Sequence, residues 1–331
     1  MTYWEERNSE SMDILAAPQG LVADLITPIR SDASIDGHGL ARLLERVSPN
    51  AQALLLASPH TGEGKNLGLD QRVELLEKSL VVIRGRIPIF AWISQDTEEK
   101  TKKTLLAMKK VLEKRKYIGQ VFWADTPLYF HSNRGLPAYY ESICSLVDNP
   151  IILYNDTKLI EGLEKPFKRN NIRTAILKEL TFLKNIVGLI FLGSIDRAHD
   201  YHRACRRRPN FRIYDGDEAH FLQHPSMSGT VSIGASLAPI AWQKITQSSL
   251  QLTDDKKKYP NYLQQVWESG YYLRNLKDIY HRMPVAIVKE ILSDIGIIET
   301  PLCTFPTKDV EESKRQAIEL MVHHGDYPQK R

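Results

Sequence analysis

Eight short apolar runs, rich in β-branched or aromatic residues, recur along the chain at residues 21–26, 53–57, 88–92, 117–123, 150–154, 186–191, 211–214 and 229–233. Between them lie longer stretches with apolar residues three and four apart, at 39–47, 72–82, 97–112, 136–147 and 174–183, with weaker ones at 196–206 and 219–224. Continuous apolar strands alternating with amphipathic helices predict a parallel sheet covered on its outer faces. Eight such units over roughly 220 residues predict a closed (β/α)8 TIM barrel of the α/β class rather than an open doubly wound sheet. No GxGxxG or Walker pattern follows the first run, so no nucleotide cofactor is expected.

The rhythm changes after residue 240. Stretches 241–252, 262–280, 285–293 and 310–323 are helical by periodicity with no strand among them, and Pro284 suits a first helical turn. The expected organisation is an N-terminal extension over 1–19, the barrel over 20–240 and a C-terminal helical region over 241–331.

Composition narrows the function classes. At 42% hydrophobic and 25% charged, the 331-residue chain is ordinary globular protein. A net charge of +4 is mild and evenly spread, and the basic clusters at 109–116 and 203–208 suit solvated helix faces, so no nucleic-acid partner is expected. No apolar run reaches the roughly 18 residues of a membrane span, and the polar, acidic start is no secretory signal. Cys144, Cys205 and Cys303 have neither metal nor redox spacing, which predicts reduced thiols in a cytoplasmic protein.

In a barrel of this kind the chemistry sits where strands end. The candidate ends are Thr27-Pro28, Ser58 to Glu63 (SPHTGE), Ile93-Ser94, Ala124 to Tyr129 (ADTPLY), Tyr154-Asn155-Asp156, Leu192-Gly193, Asp215-Gly216-Asp217 and Ser232-Ile233-Gly234. Asp125 and Asp156 bring acidity to the rim, which disfavours an anionic ligand where both point inward. Asp215, Asp217, Glu218 and His220 form a candidate divalent-metal set.

In order and spacing these ends resemble the dihydrodipicolinate synthase/N-acetylneuraminate lyase family of Schiff-base aldolases. LVADLITPI is similar to the family's opening strand, HTGEG to its Gly-(Ser/Thr)-Thr-Gly-Glu, ADTPLYF to its Thr-Pro-Tyr-Tyr, NPIILYND to Pro-x-x-x-Tyr-Asn, LKNIVGLI to Asn-Ile-x-Gly-x-Lys, YDGDEA to Gly-Asp-Asp/Glu and SGTVSIGAS to Gly-x-Ile-Ser. The resemblance implies a barrel that binds pyruvate or another 2-keto acid, or a sugar acid, and assembles as a homodimer or homotetramer. It also makes the acidic run at Asp215, Asp217 and Glu218 an ordinary family turn, so no metal is expected.

The family's imine-forming lysine falls on Ile190. An imine needs an amine nucleophile in the pocket, and Lys184 sits at the opposite end of that strand. The resemblance assigns a proton-relay role to Tyr154, a second relay to Tyr129 and substrate-carboxylate binding to Thr61, with main-chain contacts near Gly216 and Val231. It places His60 where the family has the threonine that links the tyrosines, and Leu159, beside Lys158, where it has an arginine. His60 reads both as a general base and as a structural partner of Tyr154. Three functions follow as expectations. One is a relative without imine chemistry, either catalytically silent or acting on another small metabolite. Another is a carbon–carbon lyase using a relocated lysine such as Lys158, or His60/Tyr154 acid–base chemistry. The third is a non-catalytic subunit partnering an active paralogue.

Overall fold

The structure, a computed structural model, describes residues 16–163, 169–226, 228–250 and 259–327. Eight parallel strands close into a barrel in sequence order, β1 (Gly20–Asp24), β2 (Ala53–Leu56), β3 (Ile89–Trp92), β4 (Val121–Asp125), β5 (Ile151–Asp156), β6 (Ile186–Leu192), β7 (Arg212–Asp215) and β8 (Gly229–Ser232), with β8 pairing back on β1. Each expected apolar run contributes one strand. The fourth run is longer than its strand. Tyr117 lies outside the sheet, where its hydroxyl accepts the Gly85 N–H at 3.0 Å, and Ile118 is exposed.

The helices follow in turn: α1 (Gly37–Val47), α2 (Leu69–Ile83), α3 (Glu98–Arg115), α4 (Leu136–Leu146), α5 (Thr157–Glu161), α6 (Thr174–Leu180), α7 (Ile195–Cys205), α8 (Glu218–Gln223) and α9 (Pro239–Leu250). Their starts have local causes. Asp36 caps α1 by accepting the Gly39 N–H at 2.8 Å, and Thr97 caps α3 by accepting from Lys100 at 3.2 Å. Helix α3 also carries Glu98 and Glu99 in its first turn and Lys114 and Arg115 in its last, matching the helix dipole. The short helix α5 carries too little periodicity to be read from sequence.

Helix α9 packs on β1 and β8 and so completes the ring around the barrel. Three further helices, α10 (Tyr259–Tyr280), α11 (Pro284–Asp294) and α12 (Glu311–His324), pack on one another, and α10 also meets α8 and α9. Helix α11 starts at Pro284, where the missing proline N–H leaves no bond unmade.

Two apolar layers result. One fills the space between strands and helices. The other fills the barrel itself, with Val22, Leu55, Phe90, Trp92, Phe122, Ile152, Tyr154, Ile190, Tyr214 and Val231 pointing inward. Phe90 packs against Phe122 at 5.0 Å and against Tyr214 at 6.0 Å between ring centroids. The Tyr214 hydroxyl reaches down to the Pro18 carbonyl, and Arg212 Nε donates to the Ala17 carbonyl at 3.3 Å. The last residues of the expected extension therefore close the barrel floor, while 1–15 lie outside the described residues. The β7–β8 seam has a single register pair, Asp215 with Thr230. Side chains reinforce it: Ser226 Oγ donates to the Ile213 carbonyl at 2.8 Å, and Ser228 Oγ accepts the Ile213 N–H at 2.9 Å.

Candidate functional site at the barrel mouth

Strand alternation decides which side chains reach the mouth. On β1, Val22 is inside and Ala23 outside, so Asp24 turns inward above Val22. On β5 and β6 the register sets Tyr154 beside Ile190, and β7 sets Tyr214 on the other side of Ile190. Ile190 is fully buried and Tyr154 nearly so. The β6–β7 side of the mouth is hydrocarbon. Any side chain at Gly216 would run into Leu192 and crowd Ile190, and the Gly216 N–H is taken by the Phe191 carbonyl at 2.9 Å. Val231 lies inside the barrel in register with Val22.

The opposite side is polar. His60 is half exposed, and its Nε2 lies 3.4 Å from Asp156 Oδ2. Asp156 uses its other oxygen to cap α5, accepting the Leu159 N–H at 3.0 Å. His60 thus reaches the end of β5 through Asp156, two residues beyond Tyr154. Ser58 Oγ holds the tight loop after β2 by accepting the Gly62 N–H at 2.9 Å. Ser58 and Thr61 stand beside Asp24, where their hydroxyls favour its ionised form.

Burial nonetheless dominates at Asp24. It pushes the carboxyl up to about 7, against the two hydroxyls and with a small added push from Glu218. Asp24 Oδ1 is buried with no hydrogen-bond partner. Burial also holds the Tyr154 hydroxyl well above its usual range, with Asp156 and then Asp24 adding to the rise. Tyr129, on the turn after β4, packs edge-on against Trp92 at 6.4 Å. Its hydroxyl is raised by burial first and by Asp96 next, with Arg72 opposing. The Arg72 guanidinium lies 4.7 Å over the Trp92 ring and donates to the Ser94 carbonyl at 2.8 Å.

The loop carrying His60 and Thr61 is anchored from beneath. Glu63, with left-handed φ of 55°, forms a completely buried ion pair with Lys289 of α11. Lys289 also donates to the Leu302 carbonyl at 2.7 Å, and Glu63 accepts the Thr304 N–H at 2.6 Å.

Several expected positions take other roles. Asp125 does not face the mouth. It turns outward to accept hydrogen bonds from Ser94 and, at 3.0 Å each, from Tyr139 and Tyr140, so only Asp156 of the two rim acids faces His60. The acidic residues after β7 enter separate networks: Asp215 pairs with His220 Nδ1, and Asp217 caps α8. Glu218 accepts from Ser232 at 2.6 Å, the Gly234 N–H at 2.8 Å and Tyr280 at 2.6 Å. Among the described residues, no group of three or more His, Cys, Asp or Glu is set to hold a metal. Leu159 is buried, whereas Lys158 and Lys184 are exposed.

A small cleft of about 80 Å3 lies outside the barrel wall, lined by residues that include Phe191, His199, His202 and His220. Neither Tyr154 nor Thr61 borders it, so the strand-end geometry is the better guide to the site. Sequence reasoning missed Asp24 and Lys289. The signal for Asp24 was present, since a carboxylate ends an otherwise apolar strand on its inward phase. Lys289 had none, because only the tertiary fold brings α11 under the loop after β2.

Against known proteins, residues 17–324 match the sequence profile of the Dihydrodipicolinate synthetase family. The chain is 26% identical over 237 residues to a 4-hydroxy-tetrahydrodipicolinate synthase of Thioalkalivibrio sulfidiphilus, covering 70% of this chain and 75% of that one. It is 28% identical over 238 residues to the enzyme of the same name from Protochlamydia amoebophila, covering 70% and 74%. Among solved structures, it resembles a monomeric dihydrodipicolinate synthase variant with a TM-score of 0.75 at 21% identity, covering 93% and 97% of the two chains. It also resembles the chloride-inhibited synthase of Acinetobacter baumannii complexed with pyruvate, with a TM-score of 0.73 at 20% identity, covering 92% and 99%. Among the described residues, no helix is long and apolar enough to cross a membrane.

Proposed function

The chain belongs to the dihydrodipicolinate synthetase family, and we propose that it uses the barrel mouth to bind a small polar metabolite without forming an imine. The observation that carries this reading is Ile190. Fully buried between Tyr154 and Tyr214 in the strand register, it occupies the position that the resemblance assigns to the imine-forming lysine. An alkyl group cannot attack a ketone, and among the described residues Lys184, Lys158 and Lys289 offer no substitute. Lys184 precedes β6 on the exposed side, Lys158 is exposed on α5, and Lys289 is locked in its ion pair with Glu63. The relatives' pyruvate chemistry therefore does not transfer to this chain on family membership alone.

Borohydride reduction in the presence of pyruvate tests this, with intact-mass spectrometry as the readout. No adduct is expected under conditions that label a family synthase carrying the strand-six lysine. A stoichiometric adduct on any lysine of this chain would overturn the reading.

Acid–base lyase chemistry is the second reading, favoured by the approach of His60 to Asp156 beside the buried Tyr154. There His60, oriented by Asp156, is the base, and Tyr154 supplies the proton. Copies of this chain assembling as a homodimer or homotetramer belong to the same proposal, tested by light scattering on the purified protein.

A further inference from the structure

We infer that the mouth recognises its ligand through an N–H group, an ammonium or amidinium offered to Asp24, and not through a carboxylate. This deepens the reading above and rests on it, because a keto acid held as an imine would fix its carboxylate regardless of charge in the mouth.

Asp24 is only 6% exposed, lies on the inward phase of β1, and has Oδ1 buried without a partner. Buried carboxylate oxygens are ordinarily hydrogen-bonded, so an unpartnered one on the inward phase at a strand end marks a place for a donor. The groups around it are acceptors, hydroxyls or acids. Ser58 and Thr61 face it from the loop after β2, Glu218 acts on it from the β7 side, and both Asp24 and Asp156 act on Tyr154. His60 is the one base in this set and is turned to Asp156. Among the described residues, no lysine or arginine forms an ion pair with Asp24 or Asp156. Leu159 leaves hydrocarbon where the resemblance places an arginine.

The consequence is clearest at Thr61. The resemblance gives this residue to the substrate carboxylate, yet its hydroxyl already stands against the carboxyl of Asp24. An incoming carboxylate would share that hydroxyl with a second acid, and among the described residues no lysine or arginine is paired with either Asp24 or Asp156 to compensate it. An ammonium in the same place satisfies Oδ1, pairs with the carboxylate and removes the penalty of its burial. Burial holds Asp24 largely protonated below pH 7, so a bound cation draws its titration downward and a bound carboxylate does not.

The test uses two small probes of similar size, 1-amino-2-propanol and pyruvate, on the full-length protein at pH 8, with saturation-transfer NMR titration as the readout. The amine is expected to bind saturably and to weaken at least tenfold in Asp24→Asn, while pyruvate is expected to show no saturable binding to the wild-type chain. Equal amine affinity in the two proteins, absence of saturable amine binding, or tighter binding of pyruvate than of the amine would each overturn the inference. Should Asp24→Asn fail to fold, carbon-13 carboxyl NMR of wild-type Asp24 supplies the answer, since the amine must lower its titration midpoint and an unmoved midpoint refutes the assignment. The borohydride experiment is scored separately. A pyruvate adduct defeats the imine-free reading, whereas a clean mass spectrum with no preference for the amine defeats only the present inference.

Discussion

Replacing Asp24 by Asn should stabilise the protein in a pH-dependent way, and the magnitude follows from where the side chain sits. An unfolded chain holds this carboxyl near 3.8, while burial in the mouth raises it to about 7. The native state therefore binds the proton more tightly than the unfolded state does. Between those two values stability falls as pH rises, and above about 7 the whole penalty of a buried carboxylate is present. The interval corresponds to about 4 kcal/mol at 1.36 kcal/mol per pKa step. Water admitted to the mouth reduces this, so about 2–4 kcal/mol is the expected range. Asparagine keeps the shape and cannot ionise. The difference in unfolding free energy between Asp24→Asn and wild type should be small near pH 4.5 and rise to that range by pH 8.

Urea denaturation at half-unit intervals of pH measures it, with fluorescence of the buried Trp92 and Trp123 as the probe. Asp125, Asp215 and Glu218 are also raised by burial and add to the pH slope of both proteins. The contributions of Asp125 and Asp215 cancel in the difference, while Glu218, which pushes weakly on Asp24, leaves a small remainder. Parallel pH profiles for the two proteins would refute the placement of Asp24 as a buried, uncompensated acid.

Three further outcomes follow from named contacts. Lys289→Met strands Glu63 as a buried unpaired carboxylate and should cost about 3–5 kcal/mol by urea denaturation, with the double variant Glu63→Gln/Lys289→Met recovering part of the loss. Tyr280→Phe removes the hydroxyl that donates to Glu218 at 2.6 Å and should lower stability by about 1–3 kcal/mol, read from the same transition. Ile190→Lys alone should not restore robust pyruvate turnover in a coupled assay, because Leu159 still leaves hydrocarbon where an anion-binding arginine is expected. Strong turnover by that single variant would count against this reading of the mouth.

The barrel was legible because its strands are buried on both faces. A run such as IVGLIFL has no exposed phase, so the alternation of apolar runs with amphipathic stretches survives in the sequence. Legibility failed where local chemistry overrode pattern. Residues 117–120 look like strand, but Tyr117 is drawn away to Gly85. At the site, strand ends told which residues gather at the mouth, and Ile190, Tyr154 and His60 do stand at or beside it. The directions of side chains one residue apart were harder to read. Asp125 sits on the outward phase after Ala124 and feeds two tyrosines, whereas Asp24 sits on the inward phase after Ala23. Counting phase from each strand's inward apolar residue would have separated these two aspartates without a structure.

The anchors of the mouth carry the last step of the argument. Glu63 with Lys289, and Glu218 with Tyr280, tie the loops after β2 and β7 to the C-terminal helices through buried polar contacts. Buried ion pairs are poor stabilisers compared with well-packed hydrocarbon of the same volume, so their physical effect here is to fix loop geometry. Glu218 simultaneously binds Ser232 and the Gly234 N–H, setting the turn after β8 as well. Three of the eight strand ends are thus held rigid around a centre whose floor is Ile190 and whose wall carries an unpartnered carboxylate oxygen. Rigid positioning of acceptors around an apolar floor suits recognition of a donor-bearing ligand. Loosening the Glu63–Lys289 anchor with the Glu63→Gln/Lys289→Met pair should therefore weaken amine binding at the mouth even where the fold survives. Unchanged affinity in that folded variant would show that the anchor serves stability alone.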